Sequence, residues 1–249
     1  MRTIRLHADL PLAVGAEFVL PADAAEHATR VLRLPAGAPL VLFNGDGCDY
    51  ATTIAAIDKR TVRVQVTACE PLHNESPLPL LFAQGIARGD KMDLIVQKAT
   101  ELGVAGIVPL LTERSEVRLD AERAAKRLAH WQSVAISACE QSGRARIPRI
   151  APIQPLAAWL GGLADDGALR LALLPQAGKT IGALRFSAAG GVLVIGPEGG
   201  LGEADTRALA QHGFHGLRLG PRILRTETAG LAALSALQAC HGDLATAGV

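Results

Sequence analysis

The stretch Gly191-Val192-Leu193-Val194-Ile195-Gly196-Pro197-Glu198-Gly199-Gly200 is an apolar run that breaks into a loop of glycine and proline. A short uninterrupted apolar run bounded by turn residues is the pattern of a strand buried on both faces. The same form recurs on either side, in Leu169-Arg170-Leu171-Ala172-Leu173-Leu174-Pro175 and in His215-Gly216-Leu217-Arg218-Leu219-Gly220-Pro221. Upstream, residues 78–86 (LPLLFAQGI) and 104–111 (VAGIVPLL) read as two more strands. Helical spacing takes over between them. Asp90 stands where an N-cap belongs, Met92, Ile95, Ala99 and Leu102 recur at helical intervals, and Gly103 ends the turn. A long helix from Asp120 carries Ala124, Leu128, Trp131, Ala135 and Ala138 on one stripe, read as core, and a last helix from about Thr226 to Gln238 carries Leu231, Leu234 and Leu237. Strands alternating with helices predict an α/β unit with a mostly parallel sheet flanked by helices.

In such sheets ligands settle in the crevice outside the carboxyl ends of the strands. Three of those ends carry glycine and proline: Leu174-Pro175, Gly196 to Gly200, and Leu219-Gly220-Pro221. Glycine lets a ligand approach the backbone, and proline fixes a loop so that its amides and carbonyls are presented without an ordering cost. Loops of this kind suit a purine edge. For any one of them, a plain chain turn explains the composition as well. Three together weaken that explanation.

The first part of the chain has a different grammar. From Ile4 to Glu70 short β-like runs (EFVL, PLVLFN, DYATTIAAI, TVRVQVTA) are broken by turns, among them Asn44-Gly45-Asp46-Gly47. One helical patch runs from near Pro21 through Ala24, His27, Val31 and Leu32, with Pro35 and Gly37 as stops. This predicts a small β-barrel with one helix. Pro71, Pro77 and Pro79 give the following segment linker chemistry, so the boundary is drawn between domains 1–72 and 73–249.

The 249 residues carry 25 Lys and Arg against 24 Asp and Glu, a net charge of +1, so any nucleic-acid partner must be engaged by a local patch. No run approaches the ~18 apolar residues of a membrane span, and the N-terminus lacks a signal core; a cytoplasmic protein with no membrane partner is expected. Cys48, Cys69, Cys139 and Cys240 lack metal-site spacing and are expected to be free, mostly buried thiols; no metal is expected. Gly178-Lys179-Thr180 resembles the end of a phosphate-binding loop, but that loop needs a glycine where Leu173 stands. The GPEGGLG run lacks the order of a dinucleotide fingerprint. In Leu219 to Gly230, Arg222, Arg225 and Glu227 lie between a glycine turn and an apolar helix. The bland reading makes Thr226 a cap and the arginines solvated.

The strings Gln97 to Gly103, Glu113-Arg114-Ser115, Glu140-Gln141-Ser142-Gly143-Arg144, Gly196 to Gly200 and Leu219 to Ala229 occur in this order. Together they resemble the RsmE family, bacterial methyltransferases of 16S ribosomal RNA that make N3-methyluridine, within the SPOUT superfamily. Residues His27 to Leu34 and the Asn44 to Gly47 turn also look like that family's PUA-like RNA-binding domain. The resemblance implies a trefoil-knotted α/β domain that binds S-adenosylmethionine, a homodimer, and 16S rRNA or the small ribosomal subunit as partner. It places the cofactor against Leu174, Pro175, Gly196, Pro197, Glu198, Gly199, Gly200, Leu219, Gly220, Ile223, Leu224, Arg225, Thr228 and Ala229.

Uracil N3 carries a proton, so methylation there needs a base together with a cation to hold charge spread over O2 and O4. Arg225 or Arg144 is expected to stabilise charge, and Glu198 or Glu227 to remove the proton. Arg30, Arg33, Arg114, Arg118, Arg144, Arg146 and Arg149 form the expected phosphate-contact set, with solvated surface an even alternative for Arg30, Arg33 and Arg118. Two other functions fit the same fold: methylation of a ribose 2′-hydroxyl or of tRNA, and RNA binding without catalysis as a ribosome-assembly factor. The intact Gly196 to Gly200 loop favours catalysis.

Overall fold

The computed structural model describes residues 4–59, 61–117 and 119–245. The chain divides into two compact units, Met1–Glu75 with Ile136–Ile147, and Ser76–Ala135 with Pro148–Val249.

The first unit holds β1 (Arg5–His7), β2 (Glu17–Val19), α1 (Ala22–Glu26), β3 (Pro39–Phe43), β4 (Cys48–Ile57) and β5 (Val62–Pro71). The strands form one mixed sheet in the order β1-β3-β4-β5-β2, with only β1 and β3 parallel. Period-two burial sets the register: Val62, Val64 and Val66 are buried while Arg63 is exposed. In the β3–β4 turn, Asn44 Oδ1 accepts the Asp46 N–H and Asp46 Oδ1 accepts the Cys48 N–H, as turn-forming Asn and Asp do. After α1, a π-helical turn (His27–Val31) ends on bonds from Leu32 N to His27 O and from Leu34 N to Ala28 O. That ending puts Arg33 at φ +53°, whereas every other left-handed residue described is a glycine. An L-residue there costs on the order of 1 kcal/mol.

Ile136–Ile147 completes this unit's interior. Phe43, Cys139 and Ala145 form a small buried cluster, and the Arg5 guanidinium lies 4.7 Å from the Phe43 ring while bonding Asp49 and Cys139 O. Burial, against the pull of Asp9 and Glu140, holds the His7 imidazole below its ordinary pKa. The expected buried thiols are a partial correction. All four cysteines are free, but Cys139 alone is buried; Cys69 and Cys240 are exposed because they sit near the ends of their elements.

The second unit runs β6 (Leu80–Gly85), α2 (Lys91–Glu101), β7 (Gly106–Leu111), α3 (Ala121–Ser142, shared from Ile136 with the first unit), β8 (Arg149–Ile150), β9 (Gln154–Pro155), α4 (Leu156–Gly161), β10 (Leu169–Leu173), β11 (Gly191–Ile195), α5 (Glu203–Gln211), β12 (His215–Leu217) and α6 (Thr226–His241). The sheet order is β12-β10-β11-β6-β7-β8, with β9 also on β7, and every pair is parallel. The central strand β11 is buried throughout, which is why its sequence shows no alternation. On α3 the stripe deepens along the helix to Trp131, Ala135 and Ala138, all 2% exposed or less. Asp90 occupies the N-cap position of α2 but its side chain makes no capping bond. Among the described residues no helix is long and apolar enough to cross a membrane.

Candidate active site

Because β10, β11 and β12 are parallel and adjacent, their carboxyl ends open on the same edge of the sheet. There the three glycine- and proline-bearing loops line one cavity of about 530 Å³, within the range that takes a nucleoside-sized ligand. Of the residues expected to bind a cofactor, all except Thr228 line it; Thr228 is exposed on α6 away from the wall. Leu173, Ile195, Leu217, Leu224 and Ala229 make the wall apolar. The backbone of Gly196 to Gly200 and of Leu219 to Pro221 supplies polar groups. An apolar slot for a base, edged by main-chain donors and acceptors, fits an adenosyl group.

The loops are held by bonds that sequence reading had not placed. The Thr226 hydroxyl, a helix cap on the bland reading, donates to Gly196 O at 2.6 Å. The buried Gln84 amide donates to Thr226 Oγ1 (2.8 Å), Gly85 O (2.8 Å) and Gly196 O (3.3 Å), tying β6 to the start of α6. On the other side, both carboxylate oxygens of buried Asp205 accept the Glu113 N–H, and one of them accepts the Gly202 N–H. Glu113 Oε2 in turn accepts the Ala204 N–H, and Arg114 Nη1 donates to Gly199 O at 3.0 Å. Arg114, expected on phosphate, is thus part of the cavity wall.

Lys91 was also missed. At the first turn of α2, its ammonium lies 2.9 Å from Glu198 Oε1 and 3.8 Å from Glu227 Oε2, and it lines the cavity. Extending the rule of ligands at carboxyl strand ends to β6 would have pointed to it. Glu198 also accepts the Arg88 N–H at 3.0 Å. Burial pushes the Glu198 carboxyl up, but the Lys91 and backbone hydrogen bonds outweigh it and hold the group below its ordinary pKa. Both bonds fall on Oε1 of a Glu198 side chain that stays partly exposed at the cavity. Glu227 differs: its Oε2 is buried without a hydrogen bond.

The remaining expected residues lie elsewhere. Arg144 is 5% exposed, with its guanidinium bonded to both oxygens of Glu75 at 3.1 and 2.5 Å, which corrects the expectation that it is presented to RNA. Glu140 accepts the His7 N–H. Arg30, Arg33, Arg146 and Arg149 are exposed, Arg30 in an ion pair with Glu26; Arg118 lies outside the described residues.

A parallel sheet with this cavity at its carboxyl edge, in one chain with a small mixed β-unit, defines an α/β protein that binds a nucleoside-type ligand. The family model described as an RNA methyltransferase domain matches residues 74–238, and that of an RNA methyltransferase PUA domain matches residues 20–67. The ribosomal RNA small subunit methyltransferase E of Buchnera aphidicola (subsp. Schizaphis graminum) is 34% identical over 86% of this chain and 87% of its own. That of Bacillus subtilis is 32% identical over 88% and 89%. The structure of the Neisseria gonorrhoeae enzyme of the same name, bound to S-adenosylmethionine, superposes with a TM-score of 0.91 at 36% identity over 98% of this chain and 100% of that one. A methyltransferase of Legionella pneumophila in complex with the same cofactor gives 0.93 at 40% identity, with the same coverage. The chain belongs to the ribosomal RNA small subunit methyltransferase E family.

Proposed function

We propose that this protein transfers a methyl group from S-adenosylmethionine to N3 of a uridine in 16S ribosomal RNA, as a homodimer in the bacterial cytoplasm. The observation that carries the reading is the single cavity where three strand ends meet, with the size and lining of an adenosyl site. When bound, S-adenosylmethionine supplies an electrophilic methyl group. Leu174, Pro175, Gly196 to Gly200, Leu219, Gly220, Ile223, Leu224, Arg225 and Ala229 hold it.

Uracil N3 is a poor nucleophile until its proton leaves. The site must therefore accept that proton and hold the charge that spreads to O2 and O4. Of the two carboxylates only Glu198 lines the cavity, and its bonds from Lys91 and the Arg88 N–H both fall on Oε1, so Glu198 is the proton acceptor; Glu227, off the cavity wall with a buried Oε2 3.8 Å from the Lys91 ammonium, helps to hold Lys91. Arg225, exposed and lining the cavity, holds the developing charge. Arg144 is a framework residue. Arg30, Arg33, Arg146 and Arg149 remain as phosphate contacts.

The test is a nuclease digest of rRNA from cells lacking the gene, analysed by mass spectrometry. The expected result is loss of N3-methyluridine from 16S rRNA and its return on complementation. An unchanged 16S pattern, or loss of a ribose 2′-O-methyl or tRNA mark instead, overturns the uridine reading.

A further inference from the structure

The cavity lining is electrically lopsided in a chain whose net charge is only +1. Lys91, Arg114, Arg218, Arg222 and Arg225 line it against the single carboxylate of Glu198. Lys91 is paired with Glu198, and the Arg114 guanidinium donates to a carbonyl. Arg218, Arg222 and Arg225 are exposed, and among the described residues their side chains have no hydrogen-bond or ion-pair partner. Arg218 is not simply adrift, since its backbone N–H is anchored on Lys179 O at 3.0 Å. Its charged end alone is unspent.

Three uncompensated guanidinium groups around one cavity repel one another and raise the local potential. The methyl donor does not relieve this. Its sulfonium and ammonium outweigh its one carboxylate, so it arrives as a cation. A phosphodiester strand does relieve it, because a planar guanidinium matches two phosphate oxygens. We propose that Arg218 and Arg222 grip the phosphates flanking the target nucleotide at the cavity mouth, leaving Arg225 for the base. This rests on the rRNA reading above and assigns to it two residues outside the phosphate-contact set expected from sequence.

The experiment measures binding of a 16S rRNA fragment to wild type, Arg218→Ala and Arg222→Ala across a potassium chloride series, with S-adenosylmethionine affinity measured separately by calorimetry without RNA. Arg207→Ala, on the exposed surface of α5, serves as the control. Each lost phosphate contact is expected to reduce the slope of log affinity against log salt by about 0.7–0.9. The control keeps the wild-type slope, and methyl-donor affinity is unchanged in both cavity variants. Wild-type slopes in Arg218→Ala and Arg222→Ala overturn the assignment while leaving the rRNA reading intact. Loss of methyl-donor affinity in place of RNA affinity also overturns it, by showing that the arginine serves the donor's carboxylate. Failure of the wild type itself to bind the fragment removes the rRNA reading and this assignment with it.

Discussion

Replacing Gly196 with alanine is expected to cost S-adenosylmethionine binding about 5- to 150-fold, from an overpacking penalty of about 1–3 kcal/mol. A Cβ at Gly196 would stand 2.6 Å from both Gly200 C and Leu201 N and 3.0 Å from Gly200 Cα. These are backbone atoms, so relief requires the whole 196–201 loop to open, and that loop is a cavity wall. Gly199 is the internal comparison. Its added Cβ would meet Arg114 Cβ at 3.1 Å, a looser approach than the backbone contacts at Gly196 and one relieved by a shift of a few tenths of an ångström. Gly199→Ala should therefore weaken binding only a few-fold. Calorimetry on both variants, with circular dichroism to show that each is folded, checks the contrast; equal losses would mean that the loop does not shape the site.

The second large effect concerns stability. Arg144→Ala is expected to lower the unfolding free energy of the first unit by about 2–3 kcal/mol. The figure lies below the usual range for a broken buried pair because the Glu75 side chain retains 29% of its exposure and recovers some hydration. Urea denaturation followed by near-ultraviolet circular dichroism measures it. A variant as stable as wild type would contradict the framework role and return Arg144 to the candidates for chemistry.

Arg144 also shows where the sequence misleads. Three arginines following a long helix look the same whether they face solvent or fold back on a carboxylate, and the carboxylate here, Glu75, is 69 residues away in the chain. The proline-rich segment after Glu70 signals a crossing between units. Nothing local signals that Ile136–Ile147 belongs with the first unit, because that depends on packing against Phe43. The strands were legible for the opposite reason: burial on both faces leaves an apolar run, as in Gly191–Ile195, that needs no partner to be recognised. Their order in the sheet was not, since β11 pairs with β6 and β10 with β12 across long stretches of chain.

The site divides in the same way. Residues on the glycine- and proline-marked loops were identifiable because the loops advertise close backbone approach. Lys91, Gln84, Asp205 and Arg218 carry no such mark. A lysine opening a helix, a glutamine ending a strand and an aspartate in a first helical turn are ordinary in sequence, and their roles appear only once β6, the 112–115 loop and α5 are brought to the same edge. Sequence left Glu198 and Glu227 equivalent. Position separates them: Glu198 lines the cavity, and Glu227 lies off it with a buried Oε2.

Amide hydrogen exchange with and without S-adenosylmethionine tests most directly whether the three strand ends act as one cofactor site. Simultaneous protection of residues 173–177, 196–201 and 217–225 on ligand addition is the expected result, with the first unit's strands unchanged. Protection confined to one of these segments, or appearing only outside them, would contradict the shared cavity and the methyltransferase chemistry derived from it.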